Sequence, residues 1–176
     1  MRLLLHSCCA PCSTTVIENL KEDYDITVLF YNPNIEPKEE YIKRKNEQIR
    51  LLKTLDIPYM EIDYQNEKFN EITAGLENEP EKGQRCHLCY SLRLQKTAKI
   101  AAVNDYDYFG TTLTVSPYKD KDTINELGNL ITKQYKAKTK YLLHEIENGF
   151  KKSVELSKEH NLYRQNYCGC RYSRRD

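Results

Sequence analysis

The chain has 176 residues, of which 30% are charged and 39% apolar, and a formal net charge of +1. That length suits one core of ordinary size, roughly 100–200 residues, and leaves little for a second. The balance excludes a disordered chain, no apolar run approaches the ~20 residues that cross a bilayer, and the start MRLLLHSCC has too short an apolar stretch for a secretory signal. A cytoplasmic protein with one domain over residues 1–176 and no membrane partner is expected, while near-neutral charge leaves any other partner open.

Arg2 to His6 and Ile26 to Tyr31 read as short strands, with a helix over residues 13–22 between them. The segment NPNIEP (32–37) is a turn, and the helix after it, Glu39 to Leu55, places Tyr41, Ile42, Ile49 and Leu52 on one face. A third strand follows at 58–62, so the first third alternates β and α as a doubly wound parallel sheet does. Residues 64–84 read as a partly helical excursion and a loop. A helix from Cys86 to about Asn104 has Leu88, Leu92, Ala102 and Val103 on one face. A strand and loop at 106–117, a helix at 122–135, a last strand at 139–143 and a helix at 149–161 complete the pattern, and the tail NYCGCRYSRRD stays irregular.

The seven cysteines fall into three groups: Cys8, Cys9 and Cys12; Cys86 and Cys89; Cys168 and Cys170. In a reducing compartment such clusters point to metal or redox chemistry, and an odd count excludes complete internal pairing. Cys86 and Cys89, spaced CxxC at a helix start, share a face near the positive end of the helix, which favours thiolates. Cys8 and Cys9 follow a strand, where successive side chains alternate faces, so they serve one site only if the backbone has already turned. Pro11 helps shape that turn, and Ser13 or Thr14 can cap the next helix. Cys168 and Cys170 flank Gly169 and can clip a metal or close a strained disulfide. Structural zinc wants four ligands, commonly as two CxxC knuckles, and only one knuckle is present, whereas iron–sulfur clusters accept varied spacings. Four thiols can hold a cluster, with three left for a second metal or a redox pair.

The blocks HSCCAPC, FYNPNI, RCHLCY, GTTLTVSPYK and LYRQNYCGC, spread from residue 6 to 170, resemble the cobalamin-independent epoxyqueuosine reductases. The resemblance implies an α/β, Rossmann-like parallel sheet flanked by helices, similar to the PP-loop ATPases, with an irregular metal-binding C-terminal tail. It implies reductive removal of the epoxide oxygen from epoxyqueuosine at the wobble position of tRNA, with a 4Fe-4S cluster and room for a second mononuclear iron. By position, Cys8, Cys9, Cys86 and Cys89 match the cluster ligands, Cys168 and Cys170 match the pair given to redox chemistry or further metal binding, and Cys12 stands where the family also carries Asp. SCCAPCS replaces the SGGxDS phosphate loop of the ATPases, which argues against ATP use.

Removing an epoxide oxygen to leave an alkene takes two electrons and a Lewis acid or proton donor at the departing oxygen. Tyr163, Tyr167 and His87 are the proton-donor candidates beside the cysteines. An external electron donor is required. Lys119, Lys121, Arg171, Arg174 and Arg175 can meet phosphates of the tRNA, and Tyr118, Tyr167 and Tyr172 can stack on splayed bases. Two other readings share these residues: a thiol–disulfide oxidoreductase with a structural zinc, and a non-catalytic metal-bearing RNA-binding module.

Overall fold

The computed structural model describes residues 1–134 and 139–174. Among these residues five strands, β1 (Arg2–Ser7), β2 (Asp25–Phe30), β3 (Tyr59–Glu61), β4 (Tyr108–Thr111) and β5 (Lys140–Tyr141), form one sheet in the order β3-β2-β1-β4-β5 with every pairing parallel. Six helices among the described residues connect and cover them: α1 (Ala10–Leu20), α2 (Lys38–Thr54), α3 (Asn66–Ile72), α4 (Gln84–Val103), α5 (Lys121–Gln134) and α6 (Gly149–Glu159). Short 3-10 turns span Thr112–Val115 and Arg171–Ser173. This is the expected doubly wound α/β sheet.

The central strand β1 is buried on both faces, which explains its unbroken Leu3-Leu4-Leu5 run. Leu3 and Leu5 pack with Val16 and Ile17 of α1, Val28, and Leu52 of α2. Leu4 points the other way, into a core built with Leu29, Phe109, Tyr90, Leu94 and Ala98. The same alternation sends His6 toward α4 and Ser7 toward α1 and α2. Gly128 of α5 lets β5 close the sheet, because a Cβ there would lie 2.5 Å from the ring of Tyr141.

Several local expectations need correction. Helix α1 starts at Ala10 with Cys9 as its N-cap, so Ser13 and Thr14 lie inside the helix and bond back to the carbonyls of Cys9 and Pro11 instead of capping it. Pro11 sits in the first turn, where its missing N–H costs nothing. The buried stripe of α2 is Tyr41, Arg44, Gln48, Leu51 and Leu52, while Ile42 is exposed. On α4 the buried stripe includes Cys89, Tyr90, Arg93, Leu94, Thr97, Ala98 and Ala101. Leu88, Leu92 and Ala102 are only half-buried, and Val103 is 74% exposed. In both helices a buried arginine interrupts the apolar period. Tyr135, expected at the end of α5, lies outside the described residues.

Candidate metal centre and substrate cavity

β1 and β4 are neighbours, and the chain winds outward from them in opposite directions, so a crevice opens beyond their carboxyl ends. The first cysteine loop leaves β1 into that crevice. Its backbone turns at Cys8, and Cys9 is extended (φ −170°, ψ 160°) before α1 begins. As a result the Sγ atoms of Cys8 and Cys9 lie 3.7 Å apart, and with that of Cys12 all three fall within 4.8 Å of one another.

Two sets of hydrogen bonds hold this loop. Behind it, the hydroxyls of Ser7 and Ser13 are 2.6 Å apart, and both reach Oε1 of the buried Gln48, at 2.6 and 3.1 Å. Across the switch point, the Cys8 amide donates to Thr112 Oγ1 at 3.1 Å, and the Thr112 hydroxyl lies 3.3 Å from Cys8 Sγ. The loops after β1 and β4 are thereby tied together.

Cys86 and Cys89 enter from the first turns of α4, the former half-buried and the latter buried against Phe69 and Cys170. The third group comes from the tail. Gly169, at φ +116°, bends the chain so that Cys168 and Cys170 Sγ atoms are 3.7 Å apart, with the Ser173 hydroxyl 2.9 Å from Cys168 Sγ. Arg44 of α2 donates to the carbonyls of Cys168 (3.2 Å) and Tyr167 (3.3 Å), and the Glu36 amide donates to the Gly169 carbonyl at 2.8 Å. All seven thiols are free and line one cavity of about 390 Å³.

Among the described residues, Arg44, Arg85, Arg93, Lys119 and Arg164 line the cavity against the single carboxylate of Glu81, which makes it electropositive. Arg93, buried under the floor, donates to His6 Nε2 at 3.3 Å, to Asn32 Oδ1, and toward Cys89 Sγ at 3.8 Å. Hydrogen bonds from Cys12 and Cys9 hold the Cys8 thiol well below its ordinary pKa, with Arg93 adding to the effect. Its neighbours carry the protons: Cys12 is raised by its bonds to Cys8 and Cys9, and Cys9 is pushed up to about 12, the Cys8 bond and burial outweighing a bond from Cys12. The tail repeats this asymmetry, with Cys168 lowered by the Cys170 hydrogen bond and Cys170 raised by the same contact. Burial raises Cys86 and Cys89. Burial opposes the charge on Lys119, yet the Cys168 and Cys8 thiolates outweigh it and raise its pKa. His6, fully buried, is lowered to about 3 by desolvation and by Arg93, so the imidazole beneath the thiols is neutral.

These residues fit a thiolate-bound iron centre: free soft ligands from three segments converge, and buried cations offset the negative charge such a centre carries. Among the described residues, the tightest group of potential metal ligands is Cys8, Cys9 and Cys12, which gives Cys12 a place beside the other two.

The remaining candidates divide. Tyr118, Lys119 and Tyr167 line the cavity. The Tyr167 hydroxyl donates to the Glu36 carbonyl at 2.6 Å. Tyr163 is not part of the wall; its hydroxyl bonds Glu40 at 3.1 Å and its ring lies under Lys43. His87 stands 3.6 Å from Asp120, also off the wall. Lys121 pairs with Glu145 at 2.7 Å and Arg171 with Glu36 at 2.9 Å, while Tyr172 lies against Arg85 and Arg171. Arg174 is exposed, and Arg175 lies outside the described residues. Arg44, Gln48, Arg85 and Arg93 were not singled out from sequence. Their signal was polar residues at helical spacing on otherwise amphipathic segments.

A parallel α/β sheet whose switch-point cavity is walled by thiols and buried cations defines a protein equipped to hold a metal centre for redox chemistry. The family model described as "Epoxyqueuosine reductase QueH" matches residues 3–176. The chain belongs to the epoxyqueuosine reductase QueH family. It is 42% identical to epoxyqueuosine reductase QueH of Streptococcus pyogenes serotype M1 over 179 residues, covering 97% of this chain and 69% of that one. The enzyme of the same name from Acinetobacter baylyi is 41% identical, covering 99% and 81%. Among solved structures, the U34-tRNA thiolase NcsA from Methanococcus maripaludis, with its [4Fe-4S] cluster, matches at TM-score 0.62 and 14% identity, covering 99% of this chain and 62% of that one. A predicted subunit of tRNA methyltransferase from Methanocaldococcus jannaschii matches at TM-score 0.56 and 15% identity, covering 90% and 74%. Both structures share the fold. No helix among the described residues is long and apolar enough to cross a membrane.

Proposed function

We propose that this chain reduces epoxyqueuosine in tRNA to queuosine in the cytoplasm, at the seven-thiol cavity and with an iron–sulfur centre. The observation that carries the reading is the convergence of every cysteine on one cavity at the switch point, in a chain matched over residues 3–176 by the family model. Cys8, Cys9, Cys86 and Cys89 hold the 4Fe-4S cluster, with Cys12 beside them, and Cys168 and Cys170 serve a second iron or act as the redox pair. When bound, the centre supplies electrons at low potential and a Lewis-acidic position.

The reaction consumes two electrons from an external low-potential donor and two protons, and the epoxide oxygen leaves as water while the two ring carbons become an alkene. The residues of the chain shape that event. Arg44 fixes the tail by its two carbonyl contacts, so Cys168 and Cys170 face the other thiols. Tyr167 lines the cavity, and its hydroxyl serves as a proton source for the leaving oxygen once substrate displaces its 2.6 Å bond to the Glu36 carbonyl. Tyr163 acts through its Glu40 bond, since Glu40 also holds Arg44 at 2.6 Å. Lys119 and Arg164 place positive charge where the anticodon backbone enters, and Tyr118, 60% exposed, offers a face for a splayed base.

The test is nucleoside analysis of epoxyqueuosine-containing tRNA after anaerobic incubation with iron-reconstituted, chemically reduced protein, without cobalamin or ATP. Appearance of queuosine supports the reading. Persistence of the epoxide with an intact, reducible cluster refutes it.

A further inference from the structure

The NPN segment after β2 contains two asparagines with opposite fates. Asn32 is fully engaged: its Nδ2 donates to the Ser7 carbonyl at 2.9 Å and its Oδ1 accepts from Arg93. Asn34 is equally buried, 1% exposed, and lines the cavity, yet its Oδ1 has no hydrogen-bond partner among the described residues. The loop is not loose. Asn66 donates to the Pro33 carbonyl at 2.8 Å, Tyr64 donates to the Ile35 carbonyl at 2.6 Å, and the Ile35 side chain is 1% exposed. The Asn34 amide also packs against Gly169, between the two tail cysteines: its Nδ2 lies 3.4 Å from where a Cβ on Gly169 would stand. Gln165, also on the cavity lining, carries a second buried carbonyl oxygen without a partner among the described residues.

A buried amide carbonyl left unpaired forfeits its hydration with no bond in return, and native proteins rarely keep one without a use. Here the backbone around Asn34 is held by hydrogen bonds, and the residue that carries the unspent acceptor lies on the cavity lining, its oxygen just beneath the surface. We propose that Asn34 is a specificity-determining residue whose Oδ1 accepts a hydrogen bond from an N–H or O–H of the modified side chain of the substrate nucleoside, holding the epoxide-bearing ring beside Cys168 and Cys170. This rests on the functional reading above. An unmodified guanine carries no such side chain and leaves the carbonyl unpaired, which is the arrangement by which a polar site rejects a ligand lacking the matching donor.

The experiment compares an anticodon stem-loop RNA bearing epoxyqueuosine with the same RNA bearing guanine, by fluorescence anisotropy with reconstituted protein. Melting temperature and iron content are followed in parallel. Asn34→Leu, close in size, is expected to keep the iron content, to melt at the wild-type temperature or above because no internal bond is lost, and to lose at least tenfold of the preference for the modified RNA. A folded Leu variant that keeps the wild-type preference overturns the assignment. If Leu lowers the melting temperature, Asn34→Ala replaces it. A folded Ala variant that has lost the preference supports the proposal and one that keeps it overturns it, and a melting loss in both variants overturns it by making the amide part of the frame. Wild-type protein that turns over the epoxide while the Asn34 variant matches its kcat/KM overturns the Asn34 assignment alone. Wild-type protein that neither discriminates the RNAs nor reduces the epoxide overturns the functional reading and this one together.

Discussion

Gly169→Ala tests how the tail presents its two thiols. Gly169 adopts φ +116°, a conformation nearly restricted to glycine, and an added Cβ would sit 2.8 Å from Cγ1 of Ile35 and 3.2 Å from a guanidinium nitrogen of Arg44. The backbone strain costs about 1–3 kcal/mol, and forcing a methyl against buried Ile35 costs about 1–3 kcal/mol more, so the substitution carries roughly 2–6 kcal/mol. That is comparable to what the bonds docking this segment supply, among them Arg44 to two carbonyls, the Glu36 amide to the Gly169 carbonyl, the Tyr167 hydroxyl to the Glu36 carbonyl, and Arg171 to Glu36 and Asn70. The tail therefore detaches before the sheet unfolds. Gly169→Ala should keep wild-type far-ultraviolet circular dichroism, expose Cys168 and Cys170 to rapid alkylation in the metal-free protein, and lose turnover. Wild-type alkylation rates with wild-type turnover would refute the argument.

Four further outcomes follow from the same geometry. Replacing Cys86 or Cys89 by Ala should remove most cluster absorbance, whereas replacing Cys168 or Cys170 should abolish turnover with a smaller loss of iron, and equal iron loss in both sets would show the ligands to be divided differently. Arg93→Met withdraws the buried cation that faces Cys89, so the midpoint potential of the reconstituted cluster should fall by roughly 60 mV, taking about 1.4 kcal/mol for a charge-assisted contact in a one-electron couple; Arg93→Lys should recover part of it. Gln48→Leu strips the shared acceptor from Ser7 and Ser13 and should lower the melting temperature of the metal-free protein, with the loss confined to chains that keep both serines. The Arg50 hydrogen bond and then the Tyr163 amide hold the Glu47 carboxyl below its ordinary 4.5. Its stabilisation is therefore present above that value and lost as pH falls through the lowered one. The stability difference between wild type and Glu47→Gln, measured by urea unfolding, should be present at neutral pH and vanish in acid.

The sheet was legible because β1 and β2 are buried on both faces and therefore spell out as apolar runs, and because their alternation with helices leaves few topologies. The faces of α2 and α4 were not. Arg44, Gln48 and Arg93 occupy core positions in order to hold the cysteine loops, and a reading that counts only apolar residues passes over them to Ile42 and Val103, which face solvent. The start of α1 was misplaced for a related reason: hydroxyls that look like caps are spent inside the fold on Cys9 and Pro11 carbonyls. The thiols announced themselves by spacing, but which of them meet depends on turns at Cys8 and Gly169 that no periodicity encodes. Asn34 gave no signal at all, since only the bonding of its neighbour Asn32 makes its own idleness visible.

The cavity takes thiols from the loop after β1 and from the segment after α6, which stand far apart in sequence. On the ribosome β1 is made before the other described strands, while Cys168 and Cys170 emerge only after all five of them. The seven-thiol cavity is therefore complete only after the tail has docked. A chain truncated before Cys168 keeps the residues of its sheet yet lacks two of the seven thiols that line the cavity.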